Sequence, residues 1–88
     1  MNTYKPRHGA HMALAHLERE AASLDELQEV MGVTTGKTWR DGEFRLASMC
    51  DAGLCTLRGG WYEITEAGRE ALEQLRRGEA VTAYRRAA

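Results

Sequence analysis

The segment Thr35-Gly36-Lys37-Thr38 invites a phosphate-binding interpretation, because a Gly-Lys-Thr run can wrap a phosphate with its backbone amides. The preceding glycine, Gly32, lies four positions before Gly36, which is one residue short of the spacing in phosphate-binding loops. The segment also follows a predicted helix, whereas a phosphate-binding loop follows a strand. We therefore interpret it as part of a turn, and we expect no cofactor.

The three histidines are His8, His11 and His16, at or within a first predicted helix. His8 and His11 share a face, but no cysteine or carboxylate is suitably spaced to complete a metal site, so we expect none. The sequence yields no Ser/His/Asp or Cys/His arrangement, and we predict no catalytic residues and no enzymatic activity. We interpret Cys50 and Cys55 as reduced, buried, small hydrophobic residues of a cytoplasmic protein.

Helical periodicity predicts two helices at the start of the chain, and the three histidines lie at or within the first of them. Apolar residues at helical spacing predict a first helix over residues 9–21, with Ala21 on its inner face. Ser23 and Glu26 form a capping box before a short second helix that ends at Gly32.

A third helix ends at Gly53 and turns Leu46 and Met49 inward, with Trp39 or Gly42 beside them. The sequence does not fix the first residue of this helix, because three residues are acceptable N-caps: Thr35, Thr38 and Asp41. A start at Thr38 would bring Trp39 into the core.

Two β-prone runs, residues 55–57 and 61–64, flank a Gly-Gly pair and predict a hairpin that exposes one of its aromatic residues. Thr65 then caps a fourth helix over residues 66–77, closed by Gly78. Residues 79–88 are predicted as either a short extra helix or a loose basic tail. The fold class is mainly α with a small β-hairpin: three helices, a two-stranded wing and a C-terminal helix, the winged helix-turn-helix plan.

Two segments carry a family resemblance. Residues 49–55, Met-Cys-Asp-Ala-Gly-Leu-Cys, resemble the end of the recognition helix in MarR- and ArsR-like winged-helix regulators. Residues 62–72, Tyr-Glu-Ile-Thr-Glu-Ala-Gly-Arg-Glu-Ala-Leu, resemble the second wing strand and next helix of the same regulators. The opening Lys5-Pro6-Arg7-His8-Gly9 is similar to that of small phage and prophage regulators. The resemblance covers residues 9–77.

The resemblance implies a cytoplasmic transcriptional regulator whose third helix enters the major groove of duplex DNA while the wing contacts the backbone or minor groove. The implied DNA-binding residues are Thr35, Lys37, Thr38, Arg40, Arg45, Ser48 and Arg58. Arg45 is the candidate for a bidentate contact with guanine, and Lys37 and Arg40 for phosphates. Additional arm contacts are expected from Lys5, Arg7, Arg85 and Arg86.

Charge and one aromatic residue favour a second hypothesis, a winged helix that binds a protein, such as a phage-borne inhibitor or adaptor. Twelve Lys and Arg residues against 13 Asp and Glu give a net charge of −1, whereas DNA-binding domains are often basic. Asp41 and Glu43 share the third helix with the basic residues and would repel phosphate if they face it. We expect Phe44 to pack under the preceding turn or against the tail; exposed, it would suit a partner pocket.

Residues 1–88 are predicted to form one domain, with an N-terminal arm over 1–8, a core over 9–77 and a basic tail over 79–88. We further predict a homodimer through residues 66–86, because four residues there supply more apolar surface than a terminal helix needs: Leu72, Leu75, Val81 and Tyr84. No apolar run approaches the roughly 20 residues that span a bilayer, so no membrane contact is expected.

Overall fold

The computed structural model describes residues 2–33 and 36–83. These residues form, in chain order, β1 (Asn2–Tyr4), α1 (Gly9–Arg19), α2 (Leu24–Val30), α3 (Gly36–Asp51), β2 (Cys55–Arg58), β3 (Trp61–Ile64), α4 (Glu66–Arg76) and β4 (Val81–Ala83). The prediction of a mainly helical chain with an antiparallel hairpin is confirmed at this level, and a second small sheet joins β1 to β4. None of the described helices is long and apolar enough to cross a membrane.

Helix α1 ends at Arg19, two residues before the predicted end. The reason is Ala22, which exchanges two backbone hydrogen bonds with Tyr62 of β3: the Ala22 N–H donates at 3.1 Å and the Tyr62 N–H donates back at 2.8 Å. This pairing requires extended backbone before α2. Ala22 is therefore completely buried, and the prediction that Ala21 faces inward is wrong, since Ala21 is exposed.

Helix α2 begins and ends as predicted. The Ser23 hydroxyl accepts a hydrogen bond from the Glu26 N–H at 3.3 Å, which satisfies one of the free amides of the first turn. Gly32 has a φ of 78°, a left-handed conformation that costs little without a Cβ atom.

Helix α3 begins at Gly36, so Thr38 and Asp41 lie inside it and do not cap it. The third candidate, Thr35, lies outside the described residues. Leu46 and Met49 are completely buried, as predicted, and Gly42 is buried beside them while Trp39 is half-buried. The early start matters for function, because it gives the helix 16 residues and a long outer face.

The hairpin has the register that its turn predicts. Gly59 and Gly60 both have positive φ angles, 58° and 85°, and Arg58 pairs directly with Trp61 across the two-residue turn. Alternation along β3 buries Tyr62 and leaves Trp61 half exposed, so the prediction of one exposed aromatic is confirmed.

Thr65 joins the hairpin to α4 through two hydrogen bonds. Its hydroxyl donates to the Gly53 carbonyl at 2.6 Å and accepts from the Gly68 N–H at 3.0 Å, so one side chain both caps α4 and fixes the turn after α3. Gly68 is buried against Leu54, where a Cβ atom would collide with the Leu54 carbonyl oxygen.

The two ends of the described chain differ from their predicted structure, and they bear on the reason given for a dimer. Residues 2–4 are not a loose arm and residues 81–83 are neither helix nor loose tail, because β1 and β4 pair, with Tyr4 opposite Val81 and Asn2 opposite Ala83. The apolar residues that suggested a dimer are already used within the chain: Leu72, Leu75 and Val81 are all buried. Tyr84 lies outside the described residues. The apolar surplus on which the dimer prediction rested is therefore absent from residues 66–83.

Candidate recognition surface on the third helix and the hairpin

The outer face of α3 centres on Phe44. Residues 40, 44, 47 and 51 recur at the spacing of one helical face, and all four are exposed. The Phe44 side chain is 66% exposed, the highest value among the large hydrophobic residues of the described chain. The expectation that Phe44 packs under the preceding turn is wrong, because helical periodicity within α3 puts position 44 on the face opposite the buried Leu46 and Met49.

The predicted DNA-binding residues are spread around this face. Thr38, Arg40 and Arg45 are exposed on α3, and Arg58 is exposed at the end of β2. Thr35 and the side chain of Lys37 lie outside the described part of the chain. The structure brings Arg40 and Phe44 together on the central strip of α3, and it places Arg45 and Thr38 on one flank.

Arg45 reaches along that flank toward the start of α1. A Cβ atom on Gly9 would lie 2.8 Å from Nη1 of Arg45, so the guanidinium group passes directly over the Gly9 backbone. Burial is the main reason that the pKa of Tyr4 is raised, and the nearby Arg45 charge partly offsets it. Arg45 therefore adds positive charge where β1, α1 and α3 meet.

The Ser48 hydroxyl is occupied by two hydrogen bonds within the chain. Its hydroxyl donates to the Arg45 carbonyl at 2.9 Å, and since this uses its only proton, the Tyr4 hydroxyl 2.9 Å away must donate to Ser48. Ser48 is half-buried in this arrangement. To contact a DNA base, Ser48 would have to give up one or both of these hydrogen bonds for a hydrogen bond to the base.

Acidic side chains lie on both flanks of the Phe44 strip. Asp41 and Glu43 are exposed, on opposite sides of the strip. Burial is the main reason that the pKa of Tyr62 is raised, and Cys50, Cys55 and Glu43 act in the same direction. The surface of α3 is thus a mixture of both signs with an apolar centre, and not a continuous positive stripe.

A groove of about 550 Å³ separates α3 from the first strand. Phe44 and Asp41 form its α3 side, and Asn2 to Lys5 form the opposite side. Sequence reasoning missed this groove because it depends on the pairing of β1 with β4, two segments 76 or more residues apart that carry no local signal of their partnership.

The outer face of the hairpin combines a cation with an aromatic ring. Arg58 and Trp61 are directly opposite each other, so their side chains leave the same face, and Trp61 is 50% exposed. Leu57, on the other face near the tip, is 55% exposed. The hairpin therefore offers both a positive charge and apolar area beyond the core.

The predicted arm residues meet a basic cluster from α4. Lys5 and Arg7 line a second groove together with His11, Arg76 and Arg77. Arg7 has a φ of 64°, and its N–H donates to Nδ1 of His11 at 2.9 Å, an arrangement that holds the strained turn before α1. Arg85 and Arg86 lie outside the described residues.

Ion pairs with Glu18, Glu73 and Glu79 partly neutralise this cluster. Arg76 donates two hydrogen bonds to Glu18, at 2.6 and 3.0 Å, and Arg77 bonds Glu79 at 3.1 Å. Lys5 and Arg7 supply the remaining positive charge of the groove. No group of three or more His, Cys, Asp or Glu side chains that could hold a metal ion occurs in residues 2–33 and 36–83.

No family model, curated protein or solved structure matches this chain. The outer face of α3 and the outer face of the hairpin together form the recognition surface of the described chain.

Proposed function

We propose that this chain is a winged-helix domain that binds duplex DNA and acts as a small cytoplasmic transcriptional regulator. In this proposal α3 enters the major groove and the hairpin is the wing. The observation that carries the proposal is the long outer face of α3, which the other described elements leave exposed, next to a hairpin that presents Arg58 and Trp61 at its tip. The order of three helices, hairpin and fourth helix supports the fold assignment, as does the Ala22–Tyr62 pairing that adds a third partner to the hairpin.

The proposed contacts follow from chemistry. Arg40 and Arg58 are exposed cations suited to phosphates, and Arg45 can offer two parallel donors to O6 and N7 of guanine. Phe44 fits a role against the methyl group of thymine, an apolar contact available only in the major groove. Lys5, which lines the groove beside Phe44, would extend the phosphate contacts, and Arg7 would add a further one.

The test is binding of a random-sequence duplex, measured by fluorescence anisotropy at salt concentrations from about 25 to 200 mM. Each phosphate contact releases counterions, so the logarithm of affinity falls linearly with the logarithm of salt concentration by about 0.9 per contact. We expect Arg40→Ala and Arg58→Ala each to reduce that slope by roughly 1. Arg19→Ala, an exposed arginine at the end of α1, is the matched control and should leave the slope unchanged. An undetectable affinity at the lowest salt concentration would reject the proposal.

A protein partner is the second candidate, favoured by the exposure of Phe44 between Asp41 and Glu43. An aromatic side chain at the centre of a mixed-charge face is typical of an interface anchor. Two alanine substitutions distinguish a protein partner from DNA. Phe44→Ala should abolish protein binding while Arg58→Ala has a small effect, whereas for DNA both substitutions weaken binding and the affinity depends steeply on salt.

The homodimer through residues 66–86 stays a prediction, supported now only by the two-fold symmetry of paired DNA half-sites. Sedimentation at high micromolar concentration tests it, and a monomer there would contradict it.

A further inference from the structure

Cys50 and Cys55 form a close thiol pair at the junction of α3 and the hairpin. Both are free, and their Sγ atoms are 3.2 Å apart. Cys50 lies in the last turn of α3, and Cys55 is the first residue of β2. The predicted burial is confirmed for Cys55, while Cys50 is only half-buried.

We propose that Cys50 and Cys55 are an oxidative modification site, at which a hydroperoxide converts the two thiols into an intramolecular disulfide that ties the end of α3 to the start of the hairpin. The proposal does not depend on the partner that the recognition surface binds.

The geometry requires only a small movement. A disulfide has a sulfur–sulfur distance of about 2.05 Å, so the two Sγ atoms must approach each other by roughly 1 Å. The backbone between them is already folded back, because the Leu54 N–H donates to the Met49 carbonyl at 2.9 Å and Gly53 adopts a φ of 81°. This turn holds the two cysteines on either side of Gly53 close to each other before any oxidation.

The two thiols differ in access and in acidity. Cys50 is half-buried and Cys55 is 1% exposed, so Cys50 is the more accessible of the two residues. The Cys55 thiol donates a hydrogen bond that lowers the pKa of Cys50, while the same hydrogen bond and burial raise the pKa of Cys55. Since the thiolate is the nucleophile, Cys50 reacts first.

The reaction balances in two steps. The Cys50 thiolate attacks the terminal oxygen of the hydroperoxide, the O–O bond breaks, and Cys50 becomes a sulfenic acid. The leaving alkoxide or hydroxide takes up the proton that the Cys50 thiol released on ionisation and departs as an alcohol or water. Sγ of Cys55 then attacks the Cys50 sulfur, the S–O bond breaks, and the Cys55 proton leaves with the hydroxyl group as water. The two sulfur atoms together lose two electrons, and the peroxide bond gains them.

An equilibrium experiment on the wild-type chain tests the site. The protein is equilibrated with reduced and oxidised glutathione, once folded and once in concentrated guanidinium chloride, and intact-mass spectrometry measures the fraction that has lost two hydrogens. We expect the effective concentration of one thiol relative to the other to be at least tenfold higher in the folded protein. A folded value equal to or below the unfolded value would overturn the proposal, as would products that are only mixed or intermolecular disulfides.

The order of attack has its own test. In Cys55→Ala treated with hydrogen peroxide, the Cys50 sulfenic acid should accumulate and be trapped by a 1,3-dione reagent. In Cys50→Ala the buried Cys55 should react at least tenfold more slowly, with circular dichroism confirming that both variants are folded. Faster labelling of Cys55 than of Cys50 would contradict Cys50 as the attacking thiol, and if either variant fails to fold, the wild-type equilibrium still decides the proposal.

Discussion

The inner and outer faces of α3 use the same helix for different purposes. On the inner face Leu46 and Met49 are completely buried and Gly42 lies against α2. On the outer face Phe44 and Arg40 are exposed, and no described element covers the centre of the strip. Burial stabilises the fold in proportion to the area removed from water, so an apolar residue that stays exposed contributes little to it. The contrast indicates that substitutions on the two faces should be separable into effects on stability and effects on binding.

The contact between α2 and α3 makes the inner face sensitive to small changes. The buried Gln28 donates from Nε2 to the Trp39 carbonyl at 2.7 Å, which bridges the two helices. Its Oε1 lies against Gly42, where a Cβ atom would collide with it, and this oxygen has no hydrogen-bond partner among the described residues. The absence of a side chain at position 42 is therefore what lets Gln28 fit.

The largest expected effect is on the inner face. Leu46→Ala should lower the free energy of unfolding by about 2–5 kcal/mol, because it removes buried methyl groups and leaves a cavity. Urea denaturation measures this change. Ala47→Ser, one position along and exposed, is the control and should change stability by less than about 0.5 kcal/mol. Equal effects at both positions would mean that the two faces are not distinct.

Gly42→Ala should cost roughly 1–3 kcal/mol, since overpacking against Gln28 outweighs the gain in helix propensity. In a Gln28→Ala background the obstruction is gone, and the same substitution should be neutral or stabilising by up to about 1 kcal/mol. Denaturation of the four proteins of this cycle measures the coupling. Additive effects would show that a side chain at position 42 does not collide with Gln28.

Phe44→Ala should change the unfolding free energy by less than about 0.5 kcal/mol, while it removes the centre of the proposed interface. The same denaturation experiment, run beside a binding measurement, checks both halves of the expectation. A loss of stability as large as that of Leu46→Ala would place Phe44 in the core and remove the distinction between the faces.

The smallest effect is expected from the exposed ion pair between α1 and α4. The Arg76 guanidinium donates hydrogen bonds that hold the pKa of Glu18 below its ordinary value of 4.5. Because the folded pKa is lowered, the pair stabilises the fold above the unfolded pKa, and this contribution is lost as the pH falls through the folded value. Glu18→Gln should therefore be slightly less stable than the wild type at pH 7, and the difference should close in acid. Glu70→Gln, an exposed control on α4, should show no such pH dependence; a gap for Glu18→Gln that persists in acid would contradict the assignment.

Local patterns predicted those features that local physics determines. The Ser23 and Thr65 caps, the left-handed Gly53 and the Gly59-Gly60 turn each need only a few neighbouring residues, and all are present. The end of α1 escaped prediction because it depends on Tyr62, some 40 residues further along the chain.

On the recognition surface, too, features set by neighbouring residues were predicted and those set by distant residues were not. The exposure of Arg58 follows from its place at a hairpin tip, and sequence reasoning identified it. Ser48 was expected to face a groove in DNA, but its neighbour is Tyr4, brought there by β1. The exposure of Phe44 was available from the sequence, because helical periodicity puts position 44 opposite the predicted inner residues Leu46 and Met49.

The pairing of β1 with β4 has a consequence for the order of folding. A contact between Tyr4 and Val81 must close a loop of almost the whole described chain, whereas Arg58 and Trp61 are separated by only two residues. The entropy of closure grows with loop length, so we expect the hairpin to form early and the strand pair to form after the helices have docked. The groove beside Phe44 has Asn2–Lys5 as one wall, so it exists only while that last pair is closed. Its lifetime is then set by local opening of two three-residue strands, an event that also takes Tyr4 and Val81 out of the hydrophobic core.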